Sequence, residues 1–234
     1  MQDQREIMET YFGDLFADFS RYVERDSWGS KTFLDFGCGN PGYCLQYRRH
    51  FAKGYALDIQ DLSTVYAHEE KITFLQSDGA TIPLPDDSVH YVFSHSTLEH
   101  VSDLETSLRE IHRVLKTHSI AYLTVSPLYY APQGGHQGLS AWEHLDPSSP
   151  HYLDDRAADQ NMPHNLNRLN VSKLLGTIGK LPFNILNFTI KPDRLNRPRP
   201  DFIPSSISDM DVHTREFRLV VKKMWKFRDG QAIM

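Results

Sequence analysis

Residues 32–42 read Thr-Phe-Leu-Asp-Phe-Gly-Cys-Gly-Asn-Pro-Gly. Thr32–Phe36 has the apolar density of a short buried strand, and it runs straight into Gly37-x-Gly39-x-x-Gly42. Residues 43–50 can continue as a helix. Glycines between a strand and a helix let the backbone turn tightly and let a ligand approach to van der Waals contact. The helix N-terminus adds a partial positive charge. By pattern alone this loop suits a dinucleotide, with Asp58 on a ribose.

The flanking sequence extends the same order. Strands are expected at 54–59, 72–75, 89–94 and 120–125, the third of these introduced by the turn at 83–87. Asp103 starts a helix through Leu104, Leu108, Ile111 and Leu115. Strands alternating with helical stretches argue a parallel α/β sheet. Right-handed crossovers then place the strand C-termini on one edge, where ligands bind. Upstream, Ile7, Tyr11, Leu15, Phe19 and Tyr22 fall near helical spacing, so residues 3–25 read as an amphipathic helix within an N-terminal piece of 1–29.

After Val125 the pattern breaks. Residues 127–168 hold five prolines and three glycines, the composition of an irregular insertion. A long irregular stretch in a compact domain is often a lid or binding loop, here expected over the substrate; a plain surface insertion is the alternative. A helix returns at 171–178, and strand-like segments follow at 183–190 and 216–221. Between these lie Arg194, Arg197 and Arg199 among prolines, a solvated stiff loop or an anion receiver. No firm boundary divides the chain, so 1–234 reads as one domain.

Composition narrows the classes. Of 234 residues, 40% are hydrophobic and 24% charged, and the net charge is -5. That supports a globular core and disfavours a general nucleic-acid or acidic-membrane binder. Cys38 and Cys44 match no zinc or disulfide spacing, which suits a reducing compartment. The charged start MQDQREIMETYF has no signal-peptide core, and no run nears the roughly 18 apolar residues of a membrane span. A cytoplasmic protein is expected.

Three carboxylates decide between ligands. Asp35 stands two residues before the first glycine, where it would repel a pyrophosphate and suit an ammonium or sulfonium instead. Asp58 ends the second strand, where it can accept both hydroxyls of a ribose, and Asp78 follows the third, near an adenine amino group. Taken singly, each is as well explained by a solvated turn or a cap.

Together with these acids, DFGCGNPG at 35–42 resembles motif I of the class I S-adenosylmethionine-dependent methyltransferases. LPDDSVHYVFSHSTLEHVSD at 84–103 resembles the segment around their fourth strand, and IHRVLK at 111–116 the helix end that follows. The set is similar to the type-11 branch and covers about residues 30–126. The resemblance implies a Rossmann-like seven-stranded sheet flanked by helices, ending in an antiparallel hairpin, with the insertion after the fifth strand. It implies S-adenosylmethionine as cofactor, with Asp35, Gly37, Cys38, Gly39 and Gly42 facing the methionine part. Asp58 and Ile59 would hold the ribose and adenine, Asp78 and Gly79 the adenine, and Ser94 and His95 would lie near the methyl end. The sequence departs from the branch at His90, at Thr117-His118-Ser119 and at Pro41.

Methyl transfer from a sulfonium needs alignment and exclusion of water, and an oxygen acceptor also needs a proton removed, usually by histidine. His95, His136 and His144 are therefore the catalytic candidates, with His100, His151 and His164 nearby. Glu99-His100 alone offers too few ligands for a metal. His136, Glu143 and His144 could add to them, but loop histidines are more often solvated, so no metal is expected. Tyr129, Tyr130 and Trp142 could form a stacking wall for a sugar-like group or anchor the loop to the core. The resulting expectation is methyl transfer to a small molecule, at a hydroxyl of a sugar-like or natural-product acceptor. An NAD(P)-dependent oxidoreductase and a non-catalytic cofactor-binding subunit are the rivals; homo-oligomer formation stays open.

Overall fold

β1 (Thr32–Phe36) is buried over its last four residues and takes a parallel partner on each side. The structure, a computed structural model, describes residues 4–39, 42–136, 139–153, 166–193, 195, 197–224, 226–228 and 231–233. On one side of β1 lie β2 (Lys53–Asp58) and β3 (Ile72–Gln76), and on the other β4 (Val89–His95) and β5 (Leu115–Val125), all parallel. β6 (Phe183–Pro192) and β7 (Thr214–Lys223) complete a seven-stranded sheet of order β3-β2-β1-β4-β5-β7-β6. β7 runs antiparallel to both β5 and β6, so the expected terminal hairpin is present. β8 (Lys226–Arg228) and β9 (Gln231–Ile233) form a separate antiparallel pair. Trp225 lies outside the described residues.

Strand alternation sends neighbouring side chains of β1 to opposite layers. Leu34 and Phe36 enter a core with Leu108, Ile111, Leu174 and Ile178. Those residues belong to α4 (Leu104–Val114) and α5 (Val171–Ile178). Phe33 enters a second core with Phe12, Leu15, Phe19 and Tyr47, from α1 (Gln4–Phe19) and α2 (Gly42–Tyr47). Each such side chain contributes about 1.5–3 kcal/mol by leaving water. Two covered faces leave the strand ends as the place for a site.

α4 shows why these residues fold as they do. Leu104, Leu108, Ile111 and Val114 recur at helical spacing and are all buried. Asp103 caps the helix: its carboxylate accepts the Thr106 N–H at 3.0 Å and the Thr106 hydroxyl at 2.7 Å. The helix then passes directly into β5, which begins five residues earlier than the apolar run at 120–125 suggests. The Thr117-His118-Ser119 stretch explains this. Pairing jumps from Val89 with Leu115 to Tyr91 with Ile120, and His118 sits at φ +64°, so the extra residues are absorbed as a bulge. His90 supports the same end of the sheet, its Nδ1 accepting the Thr32 N–H at 3.2 Å. It lies at the edge away from the strand C-termini.

α1 stops at Phe19, short of the expected residue 25. The Ser20 hydroxyl donates to the Ala17 carbonyl at 2.7 Å, and the chain turns before a 3-10 helix at Arg25–Ser30. The inserted segment carries a small core of its own: Tyr129, Tyr130, Trp142, Leu145 and Leu166 pack with Ile203 and Val212. The indole N–H of Trp142 donates to the Tyr130 carbonyl at 3.0 Å. These aromatics are buried anchors, so they do not form a stacking wall. Residues 137–138 and 154–165, with Pro163 and His164, lie outside the described residues. Among the described residues no helix is long and apolar enough to cross a membrane.

Replacing the cap of α4, Asp103→Ala, is expected to destabilise the protein by about 1 kcal/mol, seen as a lower midpoint in urea with an unchanged slope.

Candidate functional site

Strand order reverses between β1 and β4, because β2 and β3 build outward on one side before the chain crosses back. Such a switch point leaves a crevice beyond the strand C-termini. Here it is a cavity of about 380 Å³. Six of the sequence-derived cofactor residues line it: Gly37, Gly39, Asp58, Ile59, Asp78 and Gly79. Phe36, Leu57 and Val101 give it an apolar side, and Thr97 and His100 close it from the loop after β4.

The glycine loop is shaped by two needs. Gly37 sits at φ +75°, and a Cβ there would lie 2.1 Å from Cγ2 of Thr97, so a side chain is excluded. Gly39 sits at φ +52° on the cavity wall, and a Cβ there would meet nothing within 4 Å among the described residues. The Gly39 N–H donates to Oδ2 of Asp58 at 2.8 Å, and the Gln60 N–H donates to Oδ1 at 3.0 Å. Asp58 thereby clamps the loop after β1 to the end of β2. Each carboxylate oxygen holds one backbone donor and keeps a second lone pair for another.

Asp78 is exposed and closes a local turn, accepting the Ala80 N–H at 2.9 Å, while still lining the cavity. Asp35, Cys38 and Ser94 lie behind the wall and are buried. Asp35 Oδ2 and Ser94 Oγ find no hydrogen-bond partner among the described residues. Burial, and then the charge of Asp58, push the Asp35 carboxyl up to about 8. Burial likewise pushes the Cys38 thiol up to about 12, so it is no nucleophile. Gly42 opens α2 away from the described wall. Asn40 and Pro41, and with them the expected tilt of α2, lie outside the described residues. Among the described residues no lysine or arginine lines the cavity.

The three catalytic candidates separate. His95 is buried, with Nε2 on the Tyr47 hydroxyl at 2.5 Å and Nδ1 on the Thr124 hydroxyl at 3.0 Å. Burial, and then Arg218, drop its pKa to about 3. His144 is fully buried inside the insertion, where its Nε2–H donates to the Tyr129 carbonyl at 2.7 Å and burial lowers its pKa to about 4. Neither is among the described residues that line the cavity. His136 is half-buried and lines a second cavity of about 310 Å³, with its ring centroid 5.0 Å from that of His100. His151 is exposed, beside Glu143 at 3.9 Å.

Sequence reasoning missed Thr97, and it weighed Glu99 only as one of too few metal ligands. Thr97 is set by its contact with Gly37, a pairing 60 positions apart that no local pattern reveals. Glu99 is buried, and burial pushes its carboxyl up to about 8. Its loop is pinned by Asn167, whose side-chain amide donates to the carbonyls of Leu98 at 2.7 Å and Val101 at 2.8 Å. The arginine run is structural where it is described: Arg199 pairs with Asp209 at 2.8 Å and Arg197 with Asp193 at 3.4 Å. Arg194 lies outside the described residues.

The profile of the methyltransferase-domain family matches residues 34–123. Residues 34–123 thus carry a domain of this family, the class I S-adenosylmethionine-dependent methyltransferases. Over 105 residues it is 30% identical to norajmaline N-methyltransferase of Rauvolfia serpentina, covering 41% of this chain and 36% of that one. Over 85 residues it is 34% identical to malonyl-[acyl-carrier protein] O-methyltransferase of Yersinia pestis, covering 36% and 32%. The chain thus spans about a third of the length of these curated relatives. The crystal structure of a SAM-dependent methyltransferase from Methanosarcina mazei superposes with a TM-score of 0.59 at 14% identity, covering 89% of this chain and 97% of that one. That likeness shows the methyltransferase sheet and its order.

The family implies S-adenosylmethionine, and the crevice fits it. Among the described residues, a buried carboxylate oxygen without a hydrogen-bond partner, a glycine with room beside it and a wall without lysine or arginine suit a cationic nucleoside and oppose a pyrophosphate. Asp35 gives a signed prediction. Its carboxyl titrates near 8 in the fold and near 4 when unfolded, so between those values the folded state holds the extra proton. Stability from this group therefore falls as pH rises from 4 to 8. Asp35→Asn is expected to raise the thermal midpoint relative to wild type, by a margin that grows over that pH range, and to weaken binding of S-adenosylhomocysteine.

Proposed function

We propose that the protein transfers a methyl group from S-adenosylmethionine to a small-molecule acceptor, at a hydroxyl oxygen. The observation that carries the cofactor half is the Asp58 carboxylate, held by the N–H groups of Gly39 and Gln60 on the cavity wall. Its remaining lone pairs would take the two ribose hydroxyls. Asp78 and Gly79 would meet the adenine edge, with Ile59 against its face. Asp35 and the backbone of Gly37, Cys38, Gly39 and Gly42 would take the methionine part, its ammonium toward the unpartnered oxygen of Asp35 and Ser94 alongside. Bound there, S-adenosylmethionine would supply a methyl group already activated on a cationic sulfur.

The chain's own part is then to align the acceptor and exclude water. The loop after β4 and the inserted segment are joined for this. The Asn167 N–H donates to the Glu99 carbonyl at 2.9 Å, and His100 stands on the cofactor cavity while His136 stands on the neighbouring one. We assign the acceptor to the His136 side, under the insertion at 127–168, and take 1–234 as one domain. His95 and His144, with both positions buried and hydrogen-bonded, would act by holding this geometry. The matched O-methyltransferase is consistent with an oxygen acceptor, and the N-methyltransferase keeps nitrogen as the competing outcome. A cytoplasmic setting accords with two free cysteines.

Saturating S-adenosylhomocysteine, at about 100 times its dissociation constant, is expected to stabilise the protein by roughly 2.7 kcal/mol in a thermal-shift assay. Asp58→Ala should weaken that binding by about 1–3 kcal/mol, the scale of a lost charged acceptor, read by calorimetry. A shift with NAD and none with S-adenosylhomocysteine would overturn the proposal.

A further inference from the structure

Glu99, His100 and His136 meet where the loop after β4 faces the inserted segment. Each offers one ligand atom, and those atoms lie within 4.8 Å of one another. Glu99 is buried, and its Oε1 accepts the Ser126 N–H at 3.3 Å. Its Oε2 has no hydrogen-bond partner among the described residues. A buried carboxylate oxygen left without a donor is costly, and in a native site it calls for an occupant.

The two imidazoles are set to provide for one. Nδ1 of His136 lies 2.9 Å from the Gly134 carbonyl, to which it donates its proton. In the neutral ring this makes Nε2 the lone-pair nitrogen, the tautomer that a carbonyl-oriented metal ligand has. The backbone of His136 is at φ +63°, in the left-handed region that residues with a side chain visit infrequently. The His100 ring stands edge-on to it at 5.0 Å. His100 lines the cofactor cavity and His136 the second cavity, so the three ligand atoms sit between the two.

We propose that Glu99 Oε2, His100 and His136 Nε2 bind one divalent transition-metal ion at this junction. Two imidazoles and one carboxylate suit Zn²⁺, Co²⁺, Mn²⁺ or Fe²⁺ better than Mg²⁺ or Ca²⁺, which prefer all-oxygen sets. Bonds of about 2.1 Å place tetrahedral ligand atoms roughly 3.4 Å apart, so the cluster draws in by at most about 1.4 Å from its 4.8 Å limit. Three protein ligands leave a position open toward the second cavity. Given the methyltransferase reading above, that position fits an acceptor oxygen, and the substrate class becomes oxygen chelators such as vicinal diols, catechols or hydroxy acids.

The test uses the full chain, stripped with a chelator and titrated with Co²⁺ alone. One equivalent is expected to bind and to give the visible d–d absorption of a nitrogen–oxygen site. His136→Ala, at a half-buried position, should lose at least the roughly 10–100-fold in affinity that disturbing even an outer-shell partner costs, with its circular dichroism unchanged. Glu99→Gln is the second variant and should behave likewise. Wild-type protein that binds Co²⁺ no better than His136→Ala would overturn the site. S-adenosylhomocysteine affinity is measured on the same samples. Nucleoside binding without Co²⁺ overturns the metal site alone, and Co²⁺ binding without nucleoside overturns the methyltransferase reading while the metal site stands.

Discussion

Two carboxylates, Asp35 and Asp58, sit at the ends of adjacent strands with no lysine or arginine among the described residues of the crevice to balance them. One is buried and has an oxygen without a partner; the other is tied to the glycine loop by two backbone donors. Burial and mutual repulsion make the pair costly, and the fold carries that cost because both faces of β1 and its neighbours are packed into separate cores. Burial and the charge of Asp58 hold the Asp35 carboxyl protonated up to about pH 8, and in the proposed reading a bound cation would favour its ionised form, so the crevice would suit a sulfonium-bearing nucleoside over a pyrophosphate at a cost in stability.

The sheet and the insertion translate that constraint into a reaction space. Clamping Gly39 to Asp58 fixes the loop after β1 on β2, and the Thr97 contact with Gly37 fixes it on the loop after β4. Asn167 then ties that second loop to the chain returning from the insertion. The cofactor crevice and the neighbouring cavity are thus held by one chain of contacts. Among the described residues the insertion contributes packed aromatics and one histidine, His136, that lines the neighbouring cavity.

The parts legible in the sequence are those governed by local periodicity and by punctuation. The boundaries of α5, the cap of α4 and the strand ends bearing Asp35 and Asp58 follow from apolar spacing and turn residues. So does the glycine loop. What escaped were pairings that depend on distant segments arriving at one point. Nothing near His95 shows that Tyr47 and Thr124 will occupy both of its ring nitrogens, and nothing near His144 shows that it lies beneath Tyr129. Composition overstated the insertion for the same reason: Tyr129, Tyr130 and Trp142 read equally as wall or anchor until Ile203 and Val212 are placed beside them. The bulge at His118 escaped because register depends on the facing strand.

The measurement closest to the central claim is a crystal structure of the chain grown with S-adenosylhomocysteine. The account predicts both ribose hydroxyls on the Asp58 carboxylate, the adenine beside Asp78 and Gly79, and the ammonium directed to Asp35. The nucleoside in any other cavity, or in this one with its ribose away from Asp58, would contradict it.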